Sequence, residues 1–474
     1  MTDRYGVIWT QVRGTPEKLA DMVFTDTQLR ITKTADAMAA KVPGVSLLHD
    51  LAGDRQMVYD RVESRAFPPQ LLALLPPVDS ANPQRRILQA LLERHRPVKG
   101  MQSAMQQWEM LLFAGRNGIG HLDVFEHDDL AKAYYTGKSG VLSSQKETAG
   151  SELWFAFRRF VERTANEDEE NAVIETIGPT PGVSGFVPKL MAQVSLGSNN
   201  DWSGTLFGKN STPAIIKIEQ ALYPGLLALE ELAYDYHRRA KVFNVPRTWL
   251  KTINHQGESI TLLAAERFDR VDGRALPQES FFSLLHSGNR NKYQCNTDGS
   301  MEDLAKIFTV TGLPIEQKEE WFKRFVMSVL TGNGDLHTEN MAIVGGASQH
   351  QLAPLYDPAP MRAYRGRASH NILSALPFSG VGGVAQTPML PYASSGETPP
   401  HLGKLLIEFG RAAGIHARRS KTFISELADV TKDFCDEATA VLEALPASAR
   451  KNSLAPAIDG FRATLREVRS SVLS

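Results

Sequence analysis

The apolar pattern of this chain changes period at about residue 273, and that change limits the folds open to it. Ahead of it, SGFVPKLMAQV, GTLFG, PAIIKIE and SITLLAAERF are short apolar runs separated by Gly, Ser and Asn clusters, the pattern of strands in an antiparallel sheet. A single segment among them, GLLALEELAYDYHRRAKVF, repeats its apolar positions at helical spacing. Past residue 273 the spacing is helical in EDLAKIF, EEWFKRFVMSVL, HLGKLLIEFGRAAG and ELADVTKDFCDEATAVLEAL. The Gly/Pro-rich PFSGVGGVAQTPMLPYASSGETPP reads as a long loop.

Upstream, YGVIWTQV and RQMVYDRV are β-like, and FPPQLLALLPPVD brackets an apolar run with prolines, so residues 1–150 read as a small domain of their own. TANEDEEN, 164–171, fits a solvated loop or linker. The expected division is 1–150, then a sheet-rich lobe over 151–272, then a helical lobe over 273–474. With 474 residues and 42% hydrophobic side chains the chain can bury such a core. Its 52 basic and 53 acidic side chains argue against a global nucleic-acid or membrane footprint. Cys295 and Cys435 are too few for a disulfide framework, which favours the cytoplasm. The start, MTDRYGVIWTQVRG, lacks a signal-peptide pattern, and no apolar run approaches the roughly 18 residues that span a bilayer.

A small sheet carrying one helix, followed by a helical half, is the outline of a two-lobed, kinase-like α+β fold. Fold alone does not give function, so the residues decide. In GNGDLHTENMAIV, 332–344, Asp335 and Asn340 stand at the separation of the catalytic Asp and metal-binding Asn of a kinase loop. MAIV, GGAS and QLAPLYD read as a hairpin that returns Asp357 beside Asn340, where both would hold Mg2+. His337 would orient the loop or meet the acceptor. PGVSGFVPK supplies a Gly-containing loop with Gly182, Ser184 and Gly185, whose amides would cover phosphates, followed by Lys189. Lys217 in AIIKIE is a charge inside an apolar strand and needs a partner, for which Glu231 on the next helix is the natural candidate. Taken singly, each of these residues also has an ordinary role in a turn or on a solvated face.

Other patterns fail. GTLFGKNS has three residues between its glycines where a phosphate-binding P-loop has four, and Asn210 where Ser or Thr belongs. Asp335, His337 and His350 have no H-E-x-x-H spacing or cysteine pair beside them to support zinc. RAYRGR, 362–367, reads as a solvated basic loop.

In order along the chain, FPPQLLALLPPVD, RILQALLERH, WEMLLFAGRNGIGHLDVF, SGFVPK, IIK, ERFDR, GNGDLHTEN and LYD resemble the HipA family of bacterial serine/threonine kinases, the toxins of type II toxin–antitoxin pairs. The resemblance covers nearly the whole chain. It implies a HipA-type N-terminal subdomain over 1–150, an ATP-binding lobe and a helical lobe. It implies Asp335 as catalytic base, Asn340 and Asp357 on Mg2+, Lys189 and Lys217 on the phosphates of ATP, and Glu266 and Phe268 of ERFDR at the hinge against adenine. Ser184 is the position open to autophosphorylation. The implied partners are a protein substrate, such as a translation factor or aminoacyl-tRNA synthetase, and a HipB-like helix-turn-helix antitoxin, with DNA reached only through the antitoxin. This chain has Glu339 where many members carry lysine ahead of the loop asparagine. Two alternatives stay open. GDLHTEN also resembles the loop of aminoglycoside and choline kinases, although Asn333 stands where their histidine leads, and a pseudokinase acting as co-repressor would keep the loop without the chemistry.

Overall fold

The computed structural model describes residues 3–47, 55–60, 67–77, 82–96, 98, 103–137, 151–179, 187–196, 202–205, 211–285, 307–346, 349–364, 397–447 and 456–474. A first antiparallel sheet has the order β4-β3-β2-β1-β5, from β1 (Arg4–Thr10), β2 (Glu17–Phe24), β3 (Gln28–Lys33), β4 (Gln56–Asp60) and β5 (Asp123–Phe125). Around it lie α1 (Ala35–Ala39), α2 (Pro69–Leu72), α3 (Pro83–His95), α4 (Ser103–Ala114) and α5 (Asp128–Tyr135). Proline opens both α2 and α3, where a missing N–H costs nothing. Phe24 of β2 stacks on Trp108 of α4 at 5.0 Å between centroids and closes this core.

Next come α6 (Ser151–Glu162) and α7 (Glu167–Ile177). The acidic TANEDEEN stretch, expected as a loop or linker, starts α7 instead. Asn166 caps it, with Glu169 completing a capping box, and four acids in the first turn suit the positive end of the helix dipole. A composition that looks solvated is here a helix start, and Glu170 pairs with Arg86 of α3 at 3.0 Å.

The second sheet runs β7-β6-β8-β10-β9, from β6 (Lys189–Leu196), β7 (Trp202–Thr205), β8 (Thr212–Ile218), β9 (Thr248–His255) and β10 (Glu258–Glu266). α8 (Leu226–Ala240) connects β8 to β9 and is the one helix that interrupts the strands. One face of this sheet buries Leu190, Ile216, Leu262 and Ala264 against Phe157 and Phe160 of α6 and Ile174 of α7, joined by Ile87 and Leu91 of α3.

Short strands β11 (Arg270–Val271) and β12 (Arg274–Ala275) lead to β13 (Gln278–Ser280), which pairs with β14 (Ala342–Gly346), itself paired with β15 (Gln349–Leu352). The remaining described elements are mainly helical: α9 (Phe281–Leu284), α10 (Ile315–Thr331), α11 (Leu402–Ala412), α12 (Ala417–Val430), α13 (Phe434–Glu443) and α14 (Ile458–Leu473). Trp321 and Phe325 of α10 stack on Phe409 of α11 at 5.0 and 4.1 Å. The architecture is the expected α+β one, two sheets ahead of a helical half. ELADVTKDFCDEATAVLEAL forms two helices, broken between Val430 and Phe434. Of the Gly/Pro-rich loop of 377–400, residues 377–396 lie outside the described residues. No described helix is long and apolar enough to cross a membrane.

Candidate active site

The loop after α10 opens with a glycine that no other residue replaces easily. Gly332 has φ +75°, and a Cβ there would come within 2.9 Å of Phe461. The chain then winds into one 3-10 turn, Thr338–Asn340. The carbonyl of Asp335 accepts the His337 backbone N–H and the Asn340 side-chain amide, both at 2.8 Å. The Asp335 N–H donates to Asn333 Oδ1 at 3.0 Å. These bonds hold the Asp335 side chain at the end of a closed loop. They also commit the amide nitrogen of Asn340, so its oxygen is the atom on offer to a cation. His337 is buried, with Nδ1 accepting the Glu339 N–H at 3.2 Å and Nε2 3.8 Å from Asp335 Oδ1.

Lys189 and Lys217 face each other as register partners on β6 and β8. Like charges directly opposite repel, and both ammonium groups are buried. Asp357 resolves the conflict. One carboxylate oxygen pairs with Lys217 and the other with Lys189 at 3.1 Å. Lys217 also pairs with Glu230. Burial works against the Lys217 charge, but Asp357 and Glu230 outweigh it and raise its pKa. Burial also lowers Lys189, only partly offset by Asp357. Asp357 itself would be raised by burial, yet the two lysines hold it well below the usual carboxylate range.

The expected Lys217–Glu231 pair is corrected: Glu230 makes the contact, and Glu231 pairs with Arg238 at 3.1 Å. Adjacent residues on a helix point about 100° apart, so only one of the two carboxylates reaches the sheet. The burial periodicity of α8, with Glu230 between buried Leu229 and Ala233, marks the inward one.

Lys189, Lys217, Asn340, Asp357, Glu266 and Phe268 all line one cavity of about 770 Å3, within the range of small-molecule sites. Glu266 ends β10 in an ion pair with Arg247 at 2.6 Å, and Phe268 lies 6.0 Å from the ring of Tyr356. Gly182, Ser184 and Gly185 lie outside the described residues. Among the described residues no three His, Cys, Asp or Glu side chains gather as a metal cage. The cavity does hold the Asp357 carboxylate and the Asn340 amide oxygen, donors of the type Mg2+ takes when it keeps one or two protein oxygens and fills its shell with phosphates and water.

Several residues of the site are not evident from spacing. Tyr234, one turn past Glu230, accepts the Asp357 N–H on its hydroxyl at 3.1 Å. Tyr356 donates its hydroxyl to the Glu339 carbonyl at 2.8 Å. On the far wall, Glu279 of β13 collects the Leu47 N–H at 2.7 Å, Gln70 Nε2 at 2.6 Å, Ser283 Oγ at 2.7 Å and Ser46 Oγ at 2.9 Å. This buried carboxylate fastens the N-terminal chain to the strand that pairs with the β14–β15 hairpin.

A second buried ion cluster lies in ERFDR beside the expected adenine contacts. Arg267 is held by Asp269 and by the carbonyls of Asn117 and Gly118, at 2.8, 3.0 and 2.7 Å. Arg270 reaches the Gly118 and Gly120 carbonyls at 2.9 and 2.7 Å, and Asp269 accepts the Gly120 N–H at 2.9 Å. The motif thus clasps the GRNGIG turn of the N-terminal chain.

Comparison with known proteins agrees with these features. The HipA-like C-terminal domain profile matches residues 182–434. A Haemophilus influenzae protein described as a candidate kinase is 27% identical over 243 residues, 49% of this chain and 67% of that protein. A chain from the Shewanella oneidensis MR-1 complex of HipA, HipB and operator DNA superimposes with a TM-score of 0.58 at 16% identity, covering 98% of this chain and 96% of that one. At that identity the likeness concerns the fold, which is the two-lobed one.

Proposed function

Because the chain belongs to the HipA-like C-terminal domain family, we propose that it is a serine/threonine kinase that transfers the γ-phosphoryl group of ATP, with Mg2+, to a hydroxyl of a bacterial protein. The observation that carries this reading is the convergence of two buried lysines on Asp357 in a cavity that also contains Asn340. Phosphoryl transfer needs little covalent help from the protein. It needs positioned cations and an acceptor for one proton.

In this reading Lys189 and Lys217 leave Asp357 for the phosphate oxygens when nucleotide enters, and Glu230 keeps Lys217 aimed. Asn340 and Asp357 hold Mg2+, which supplies charge neutralisation across the phosphates. The acceptor oxygen forms a bond to the γ-phosphorus as the bond to the bridging oxygen breaks. Asp335 receives the hydroxyl proton, and ADP departs with the electron pair. His337 braces Asp335 and its loop. Glu266 and Phe268 border the adenine, and Gly182, Ser184 and Gly185 cover the phosphates. The chain divides into 1–150 as N-terminal subdomain, 151–272 as ATP-binding lobe and 273–474 as helical lobe.

The Shewanella protein is found with HipB and operator DNA. By the same reading, a HipB-like helix-turn-helix antitoxin neutralises this kinase, DNA is met through that antitoxin, and the work is done in the cytoplasm. The target is a translation factor or an aminoacyl-tRNA synthetase, whose phosphorylation arrests growth.

Purified protein given Mg2+ and γ-labelled ATP is expected to label a protein in cell lysate or its own Ser184. Asp335→Asn is expected to lower labelling by about a thousandfold or more, the scale of losing a catalytic base together with its positioning. Labelling that survives this change removes Asp335 from the role. ATP turnover driven by an amino-alcohol with no labelled protein replaces the reading with a small-molecule kinase.

A further inference from the structure

Asp357 has φ +57°, in the left-handed region that a side chain other than glycine rarely adopts. Such a backbone persists only when its surroundings hold it. Two tyrosines surround it. Glu230 and Tyr234 stand one turn apart on the same face of α8, so a single rigid helix sends a carboxylate to Lys217 and a hydroxyl to the Asp357 backbone N–H. From the other side Tyr356, the residue before Asp357, ties this segment to the catalytic loop through the Glu339 carbonyl. Tyr234 is buried and Tyr356 half-buried, so both hydroxyls are held inside the protein beside Asp357.

We propose that Tyr234 is a positioning residue: its hydroxyl holds Asp357 in the left-handed conformation, and thereby sets where the Asp357 carboxylate meets the metal-bound nucleotide. This rests on the reading of the site as a Mg·ATP site. The plain alternative is a tyrosine that only satisfies a buried amide. In that case losing the hydroxyl lowers stability and leaves the metal response alone. Through α8, the lysine that meets phosphate and the aspartate that meets metal share one lever, so a shift of the helix disturbs both together.

Tyr234→Phe removes one oxygen and keeps the ring. Three measurements on the full chain test it: hydrogen exchange over the segment around Asp357 without nucleotide, affinity for a non-hydrolysable ATP analogue with and without Mg2+, and the melting temperature. The proposal expects exchange faster by about tenfold, the scale of one lost hydrogen bond. It expects the tightening brought by Mg2+ to fall by about tenfold. Metal-free affinity and melting temperature are expected to stay near wild type. Unchanged exchange, or an unchanged Mg2+ increment in a folded variant, overturns it. A variant that fails to fold in full is replaced by Tyr234→His, which keeps a polar ring and is expected to retain part of the Mg2+ increment; a His variant with the full wild-type increment and exchange overturns the proposal. Wild-type protein with no Mg2+ increment overturns both this proposal and the kinase reading, whereas a wild-type increment with no loss in the variant overturns this proposal alone.

Discussion

Two buried ion clusters lie within ERFDR and the cleft beside it, and they are built on opposite principles. In the clasp, Arg267, Asp269 and Arg270 are met by rigid partners, largely backbone carbonyls and one N–H of the 117–120 turn. In the cleft, the charged side-chain ends of Lys189, Lys217, Asp357 and Glu230 pair with one another, and two of the four are lysines on flexible stems. Guanidinium forks fixed on carbonyls have nowhere to go. Ammonium groups parked on a carboxylate can exchange it for a phosphate. Burying charge serves cohesion in one place and readiness in the other.

Substitutions that take away one member separate these roles. Asp269→Asn leaves the buried Arg267 guanidinium and the half-buried Arg270 one without their paired carboxylate and is expected to lower stability by about 3–5 kcal/mol, read by denaturant unfolding. Lys217→Met is expected to do the reverse, lowering phosphate transfer by about 100-fold with a smaller shift in the unfolding midpoint, because Lys189 still pairs with Asp357. Glu230, whose pKa burial raises, takes up a proton instead of staying an unpaired buried charge. An unfolding loss from Lys217→Met as large as that from Asp269→Asn breaks the contrast.

Acidity sharpens it. Burial would raise Asp269, but Arg267 and Arg270 prevail and hold it at about 2. A depressed carboxylate gives its stabilisation in full above the unfolded value, about 3.9, and loses it as pH falls through the folded one. The stability gap between wild type and Asp269→Asn is therefore expected to stay level from pH 8 to pH 4 and to narrow only below, by roughly 2 kcal/mol. The smallest contrast is between neighbours. Glu230→Gln is expected to cost about tenfold in transfer, whereas Glu231→Gln, on a rim ion pair, is expected to stay within about twofold. Equal effects would return Glu231 to the site.

Much of the fold is legible in the sequence, since β6, β8, β10 and α8 follow apolar patterns that leave little choice. β9 is not legible, because TWLKTINH is an edge strand with alternating half-exposed positions and reads as polar chain. TANEDEEN misleads for a related reason, as a capping box and a linker draw on the same acidic and amide residues. At the site, loop spacing brings out Asp335 and Asn340, which bond to each other, and the returning hairpin brings out Asp357, although its partners Lys189 and Lys217 stand 168 and 140 residues away. Tyr234 and Glu279 act across more than a hundred residues in one case and more than two hundred in the other, and no local pattern encodes such distances. Glu231 in place of Glu230 is an error of one position, which rotates a side chain from cleft to rim.

The helices that cover the back face of the second sheet, the face away from α8, come from outside the stretch matched by the family. Ile87 and Leu91 of α3, Phe157 of α6 and Ile174 of α7 all seal its back face. Excised alone, residues 182–434 would present a bare greasy plane to water and precipitate before any nucleotide could be tried. The matched stretch is therefore no portable cassette: on the ribosome it must wait for, and then lean upon, a roof synthesised ahead of it.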